Sequence, residues 1–372
     1  MLFSRCILLN LFQNGMHLFP LNQQRLLFFS VIAAFATSCL PQVPVSRIQP
    51  TLVTERVAFD SDDPAIWIHP TQPSQSLVLG TDKGNKEGIG GIYAFSLTGK
   101  IDTSKTIQNV QRPNNIDVGY SLPIGSDSTL DFAVFTERNV QKMRIIHVPS
   151  MQFLDGGGIN VFEGETERDP MGICVYQEPI SRRTFVFVGR KNGPNDQYIW
   201  QYELLYSQQK KQITAHVVRK LGQFSGKKEI ESLVADQENG YLYYSDETVG
   251  VRKYLAHPDS STKELALFAT RHVKRDHEGL SIYKTGATTG YILLSDQQAN
   301  EFHVFPREGT ASNKHAHPLL KRIKTATLES DGSDVTSLYL NEQFPRGLFV
   351  AMSTDGTFHF YNWTDIAGEE LK

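Results

Sequence analysis

One strand pattern recurs through the body of this chain and constrains its fold more than any other feature. An apolar residue, two variable residues and then usually an aromatic appear as Ile92-Tyr-Ala-Phe95, Met143-Arg-Ile-Ile146, Ile199-Trp-Gln-Tyr202, Val251-Arg-Lys-Tyr254, Phe302-His-Val-Phe305 and Phe358-His-Phe-Tyr361. Successive copies lie 51 to 56 residues apart. Each follows a second apolar stretch with a polar end: Leu77 to Lys83, Phe132 to Arg138, Phe185 to Lys191, Leu242 to Glu247, Ile292 to Gln297 and Leu348 to Asp355. Further upstream a third stretch begins with side-chain oxygens, as in Asp62-Asp63 before Ala65, Asn114-Asn115 before Ile116, Glu231 before Leu233 and Asp276-His-Glu278 before Leu280. Helical periodicity is almost absent. Short strands at a period of about fifty residues are how a propeller reads in sequence, one four-stranded sheet per period. The expectation is an all-β, six-bladed β-propeller over residues 51–372, in one domain.

Ahead of the repeats the chain changes character. Residues 26–36 are an apolar run behind Arg25, followed by Ala36-Thr-Ser-Cys39. A basic residue, a short apolar core and small residues before a cleavage point describe an export signal, and the run is too short for a comfortable membrane span. The approach to Cys39 resembles a bacterial lipobox, with alanine where leucine is commoner; a plain signal peptide with an incidental cysteine is the alternative. The expectation is a leader over 1–38, with Met16 as a candidate start, then a Pro-containing tether over 39–50 lipidated at Cys39. The protein would be exported, periplasmic or held at the outer membrane of a bacterium by that anchor alone, and monomeric. Cys6 would leave with the leader, so Cys174 stands alone and no disulfide framework is available. Lys and Arg number 37 against 40 Asp and Glu, so the surface as a whole gives no reason to expect nucleic acid. An anionic ligand would need a local cluster.

Such a cluster is legible. The start of one antiparallel strand and the end of its neighbour share an edge of the sheet, so the oxygen-rich starts and polar ends should lie on one face of the disc. That face would gather Asp62, Asp63, Glu231, Asp246, Glu247, Asp276, Glu278 and Asp331 with Lys83, Arg138 and Lys191. Crowded carboxylates raise one another's pKa unless a cation neutralises them. Hard oxygen ligands without a cluster of His or Cys suit calcium, and the three bases call for a polyanion. The plain alternative is a set of surface charges in weak salt bridges. His277, between two of the acids, should point the other way, because strand neighbours alternate.

Two segments are more specific. Asp60-Ser-Asp-Asp-Pro-Ala-Ile-Trp67 and Asn114-Asn-Ile-Asp-Val-Gly-Tyr120 each set several oxygen ligands at the mouth of an apolar strand. In this order they resemble the two signature motifs of the β-propeller phytases, secreted calcium-dependent phosphatases that act on inositol hexakisphosphate. The resemblance covers about residues 52–365. It implies a 3-phytase releasing phosphate from calcium phytate or another inositol phosphate, with several Ca2+ ions as cofactors. It implies that Asp62, Glu231, Glu247, Asp276, Glu278 and Asp331 hold active-site calcium and that Asp63 is the second acid of the first motif. Asn114, Asn115 and Asp117 would serve a structural calcium and the channel wall. Lys83, Arg138 and Lys191 would grip phosphate, with Lys86 a further substrate contact, and Lys83, Arg138, Lys191 and Glu231 would be the catalytic residues.

The chain also departs from that pattern. Met171 stands where Bacillus members have a phosphate-touching tyrosine, Gly119 replaces an arginine at the end of the second motif, and Gly84 replaces a second lysine, with Lys86 in an inserted loop. A late acidic cluster is thinned to Asp334-Val-Thr336, which bears on one structural calcium. The chain lacks a Gly-x-Ser-x-Gly elbow, a Walker loop, a His-Glu-x-x-His pair and an Arg-His-Gly motif. Two other functions remain open at this level. A calcium-dependent lactonase-type propeller would not need Lys83, Arg138 and Lys191. A non-catalytic lipid-anchored propeller would explain the missing tyrosine and arginine.

Overall fold

The computed structural model describes residues 46–371. Cys6, Cys39, the leader and most of the tether lie outside the described residues. Six four-stranded antiparallel sheets follow one another along the chain, as a six-bladed propeller requires. The innermost strands of blades 1 to 6 are Ser61–Trp67, Pro113–Pro123, Pro170–Gln177, Leu233–Asp236, His277–Lys284 and Ser333–Thr336. The second strands are Leu77–Asp82, Thr129–Glu137, Thr184–Arg190, Tyr241–Asp246, Gly290–Asp296 and Leu348–Ser353. The recurring sequence pattern falls in the third strand of every blade: Ile89–Ser96, Lys142–His147, Asp196–Ser207, Gly250–Leu255, Glu301–Pro306 and Thr357–Asn362.

Blades 1 to 5 take their outer strands from the segment that follows. Blade 6 takes its own from the opposite end of the described chain, where Leu52–Val53 pairs with the third strand through Leu52↔Phe360 and Val53↔His359. That pairing closes the ring. Each blade is covered on both faces by its neighbours, so second strands such as Leu77–Asp82, Thr184–Arg190 and Tyr241–Asp246 are buried at every position. They therefore read as apolar runs rather than as alternation. Aromatic rings interlock between blades: Phe302 meets Phe349 edge-on at 4.8 Å and Phe95 meets Phe358 at 5.5 Å. Each such fully buried side chain is worth about 1.5–3 kcal/mol. No helix among the described residues is long and apolar enough to cross a membrane.

The feature that builds the functional face is a bulge at the start of the innermost strand. In blades 1, 2, 3 and 5 the register shifts there by one residue, between Ser61 and Pro64, Pro113 and Ile116, Pro170 and Ile173, and His277 and Leu280. In blades 4 and 6 pairing begins at Leu233 and Ser333, so Glu231 and Asp331 take the same place two residues before the ladder. A bulge re-aims the side chains it carries. Counting from it, one residue per blade holds an equivalent position: Asp62, Asn114, Met171, Glu231, Glu278 and Asp331.

Candidate active site

A second circle of residues lies beside the first. The sequence placed Lys83, Arg138, Lys191, Glu247 and Gln297 inside the second strands; each is instead the first residue beyond one. Their backbones are anchored alike. Lys83, Arg138, Lys191, Glu247 and Gln297 donate N–H to the carbonyls of Asp60, Arg112, Asp169, Glu229 and Asp276, in each case two residues before the bulge position. A strand start and a strand end are thus tied together in five successive blades, and the side chains of Lys83, Arg138, Glu247 and Gln297 meet those of Asp62, Met171, Glu278 and Asp331.

The contacts close most of a circle. Lys83 Nζ lies 3.0 Å from Asp62 Oδ1 and 3.0 Å from Asp331 Oδ2, and 3.9 Å from Asp60. Asn114 donates to Asp62 at 3.1 Å. Arg138 touches the Met171 thioether and lies 3.9 Å from Glu231. Gln297 donates to Asp331. Oxygens of Glu231, Glu278 and Asp331 lie within 4.8 Å of one another, as do those of Glu247, Asp276 and Glu278. The two triads share Glu278.

Electrostatics follow from this crowding. Burial pushes the Glu231 carboxyl well above its usual range, and Asp62 and Asp331 push it further. Glu278 is raised by burial and by Glu231, Glu247 and Asp331. Burial raises Glu247 to about 7, with Lys228 opposing the rise. Burial alone would lower the Lys83 ammonium, but Asp62, Asp331 and Glu231 outweigh it and raise its pKa. Asp276 moves down despite burial, because Arg275 and Lys228 hydrogen-bond it.

Several expected residues stand apart from this circle. Lys191 lies at the rim, 40% exposed, 3.0 Å from Glu229. Lys86 is exposed in a loop pinned by Asn85, whose side chain accepts from Glu87 and Ile89. Asp63, one residue past the bulge position, turns to the next blade and accepts from the Ile116 amide at 3.0 Å; Asn115 also hydrogen-bonds it. Asp117 is deeper. Both its oxygens accept backbone N–H groups at 2.7 Å, from Val118 and Val175. With Asp334 it lines a cavity of about 870 Å³ that none of the bulge residues lines.

Asp246, expected on the acidic face, instead accepts from Ser225 N and Oγ and pairs with Arg252 at 2.9 Å. Asp82, Glu137 and Asp296 cap backbone amides the same way, at Asp60, Gln111 and Lys274. These acids at strand ends brace the loops. His277 does turn away, bonding the Ala269 carbonyl at 2.8 Å.

The departures also find places. Gly84 has φ +96°, and a Cβ there would sit 2.3 Å from the Ile89 carbonyl carbon, so the backbone excludes a lysine. Gly119 lines the deep cavity, where a Cβ would meet the Phe132 ring at 2.2 Å. Its missing arginine therefore bears on the cavity and not on the circle. Sequence reasoning missed Lys228, Glu229 and Arg275. Lys228 Nζ contacts Glu247 and lies 2.9 Å from Asp276 and 3.9 Å from Glu278. The one signal was the run Lys227-Lys228-Glu229, separated from Glu231 by Ile230 alone, which reads as surface charge.

The donors fit a hard divalent cation. Glu247 Oε1, Asp276 Oδ1 and Glu278 Oε2 are buried without a hydrogen-bond partner, which is costly unless an ion coordinates them. No cysteine or histidine joins either triad, and an all-oxygen set suits calcium better than zinc.

Comparison with known proteins identifies the family. The curated "3-phytase" of Bacillus subtilis (strain 168) is 27% identical over 327 residues, covering 82% of this chain and 80% of that protein. A chain in the crystal structure of a mitotic checkpoint complex superposes with a TM-score of 0.50 over 91% of this chain and 98% of its own, at 11% identity, a likeness of fold alone. A family model described as Phytase matches residues 26–359, from ahead of the propeller into the third strand of blade 6. With that match through all six blades, the chain belongs to the phytase family, a family of phosphate-ester hydrolases.

Proposed function

We propose that this protein is a calcium-dependent phytase of the 3-phytase type, hydrolysing phosphomonoesters of inositol phosphates at the face that carries the bulge residues. The observation that carries the reading is the contact of acids and bases there: Lys83 lies between Asp62 and Asp331 while Arg138 faces Glu231. Acids alone would suit any calcium propeller. The bases among them suit a polyanionic substrate, which a lactone is not.

Glu231, Glu278, Asp331, Glu247 and Asp276, with Asp62 beside them, are the residues that would hold the ions. Calcium, when bound, neutralises these acids and supplies Lewis-acid activation of water and of phosphoryl oxygen. The protein's own groups do the rest. Lys83, held by two carboxylates and 15% exposed, is the cation that stabilises charge growing on phosphoryl oxygens. Arg138, anchored through its backbone to Arg112, presents a planar fork suited to two phosphate oxygens. Lys191 at the rim would bind a neighbouring phosphate of the same ring. Met171 has no side-chain donor for phosphate, and its thioether packs against Arg138 instead.

No covalent intermediate is required, since water activated at the metal would serve as the nucleophile. Export and lipidation at Cys39 belong to the same proposal and would put the enzyme where phytate arrives from outside the cell. The test is phosphate release from calcium phytate by the purified protein, with and without chelator. Release that stops on chelation and returns with calcium is the expected result; release that survives full chelation would overturn the metal's role, and none under either condition would overturn the activity.

A further inference from the structure

The two triads that share Glu278 are not equivalent. The triad of Glu231, Glu278 and Asp331 contains no ammonium at its centre; Lys83 approaches it only from the side of Asp62 and Asp331. The triad of Glu247, Asp276 and Glu278 holds the Lys228 ammonium against all three acids. These carboxylates are 0%, 0% and 2% exposed, whereas the Lys228 side chain is 37% exposed and so has a route to solvent.

We propose that Lys228 is an internal cation that occupies the Glu247–Asp276–Glu278 subsite and that a divalent ion must expel it to bind there. The inference rests on the calcium-phytase reading and deepens it, because it divides the site into a subsite open to metal and one guarded by the protein's own charge.

Three observations carry it. An ammonium has three donors and leaves Glu247 Oε1, Asp276 Oδ1 and Glu278 Oε2 unpartnered; a calcium ion, with six to eight oxygen ligands, would satisfy them. An ammonium and a dication cannot share three carboxylates at contact distance, since like charges in a poorly solvated site repel strongly. The backbone that carries Lys228 is held on both sides. Ser225 is fixed to Asp246, the Glu229 carbonyl accepts from Glu247 N at 3.2 Å, and Ile230 is fully buried. Expulsion is then a side-chain rotation with the loop in place. The freed ammonium would lie at the rim beside Lys191 and Glu229, adding a base for substrate phosphate only after metal has bound.

The experiment uses the full-length protein and two variants, Lys228→Met and Lys228→Arg. Calcium titration calorimetry is expected to resolve a tighter and a weaker class of site. Lys228→Met should tighten the weaker class by about tenfold or more, on the scale of coupling between competing ligands, and should lower the melting temperature in chelator. Lys228→Arg keeps the charge, so its weaker class should remain weak. Residue-resolved acylation with acetic anhydride gives an independent reading on wild type: Lys228 should be protected in chelator and labelled with calcium. Unchanged calcium affinities in Lys228→Met, or equal Lys228 labelling with and without calcium, would overturn the inference while leaving the phytase reading intact. A wild-type protein that binds no calcium would overturn that reading itself, and this inference with it.

Discussion

Lys83 and Asp331 meet at 3.0 Å although 248 residues separate them in the chain. Lys83 follows the second strand of blade 1 and Asp331 precedes the innermost strand of blade 6, so this ion pair crosses the seam where the ring closes. It ties the integrity of the closure to the base proposed to bind phosphate.

Replacing Lys83 by Ala should remove the base at the centre of the constellation. Loss of an oriented charge of this kind costs about 10²–10³ in turnover. The far-ultraviolet circular dichroism should not change, because Lys83 lies beyond the strand. Near-native phytate hydrolysis in this variant would show that Lys83 is not a phosphate ligand.

Glu231→Gln separates stability from function. The Glu231 carboxyl is pushed up by burial and by Asp62 and Asp331, so neutralising it relieves repulsion in the metal-free protein. The melting temperature in chelator should hold or rise, by up to about 1 kcal/mol or a few degrees, while calcium affinity and turnover fall. A variant less stable in chelator yet fully active would contradict the assignment.

The acids also set a pH dependence whose sign is fixed. Glu247 titrates at about 7 in the folded state, and Glu231 and Glu278 are raised as well. Unfolded glutamates titrate near about 4.3. Between these values the folded chain binds more protons than the unfolded one, so stability in chelator is greatest at the acid end of the window and falls as pH rises towards about 7. Saturating calcium should remove or reverse the trend, because the ion needs ionised carboxylates. Melting curves across this range in chelator and in calcium check it; a rise with pH in chelator would be the wrong sign.

Asp117 offers a contrast with the acids of the circle. Its two oxygens already accept from Val118 and Val175, so Asp117→Asn should lose one of these bonds and cost about 1–3 kcal/mol. Calcium-dependent turnover of the folded variant should stay within about twofold. Loss of turnover at full folding would return Asp117 to the metal-binding set that the family resemblance implies for it.

Much of this architecture is legible in the sequence. The third-strand pattern repeats because every blade needs the same apolar positions between the same neighbours, and that demand is local enough to be written as a period. The residues at the bulge position, Met171 apart, were legible too, since oxygen-bearing side chains at the start of apolar strands stand out by type. Their partners were harder to read. Lys228 sits in a charged run that resembles a solvated loop, and only the convergence of blades 4 and 5 puts it against Glu247, Asp276 and Glu278. Asp246 and Asp117 matched the acids of the circle by type, but strand alternation and one step of register sent them to backbone amides instead.

The number of blades, the order of strands and the kind of chemistry the face can support are written in short segments of the chain, because strand periodicity and residue type are local properties. Which acid meets which base was decided only in the tertiary structure. Those contacts join strand starts and strand ends from different blades, and their distances depend on ring closure through Leu52–Val53 and on the bulges that aim the side chains of blades 1, 2, 3 and 5.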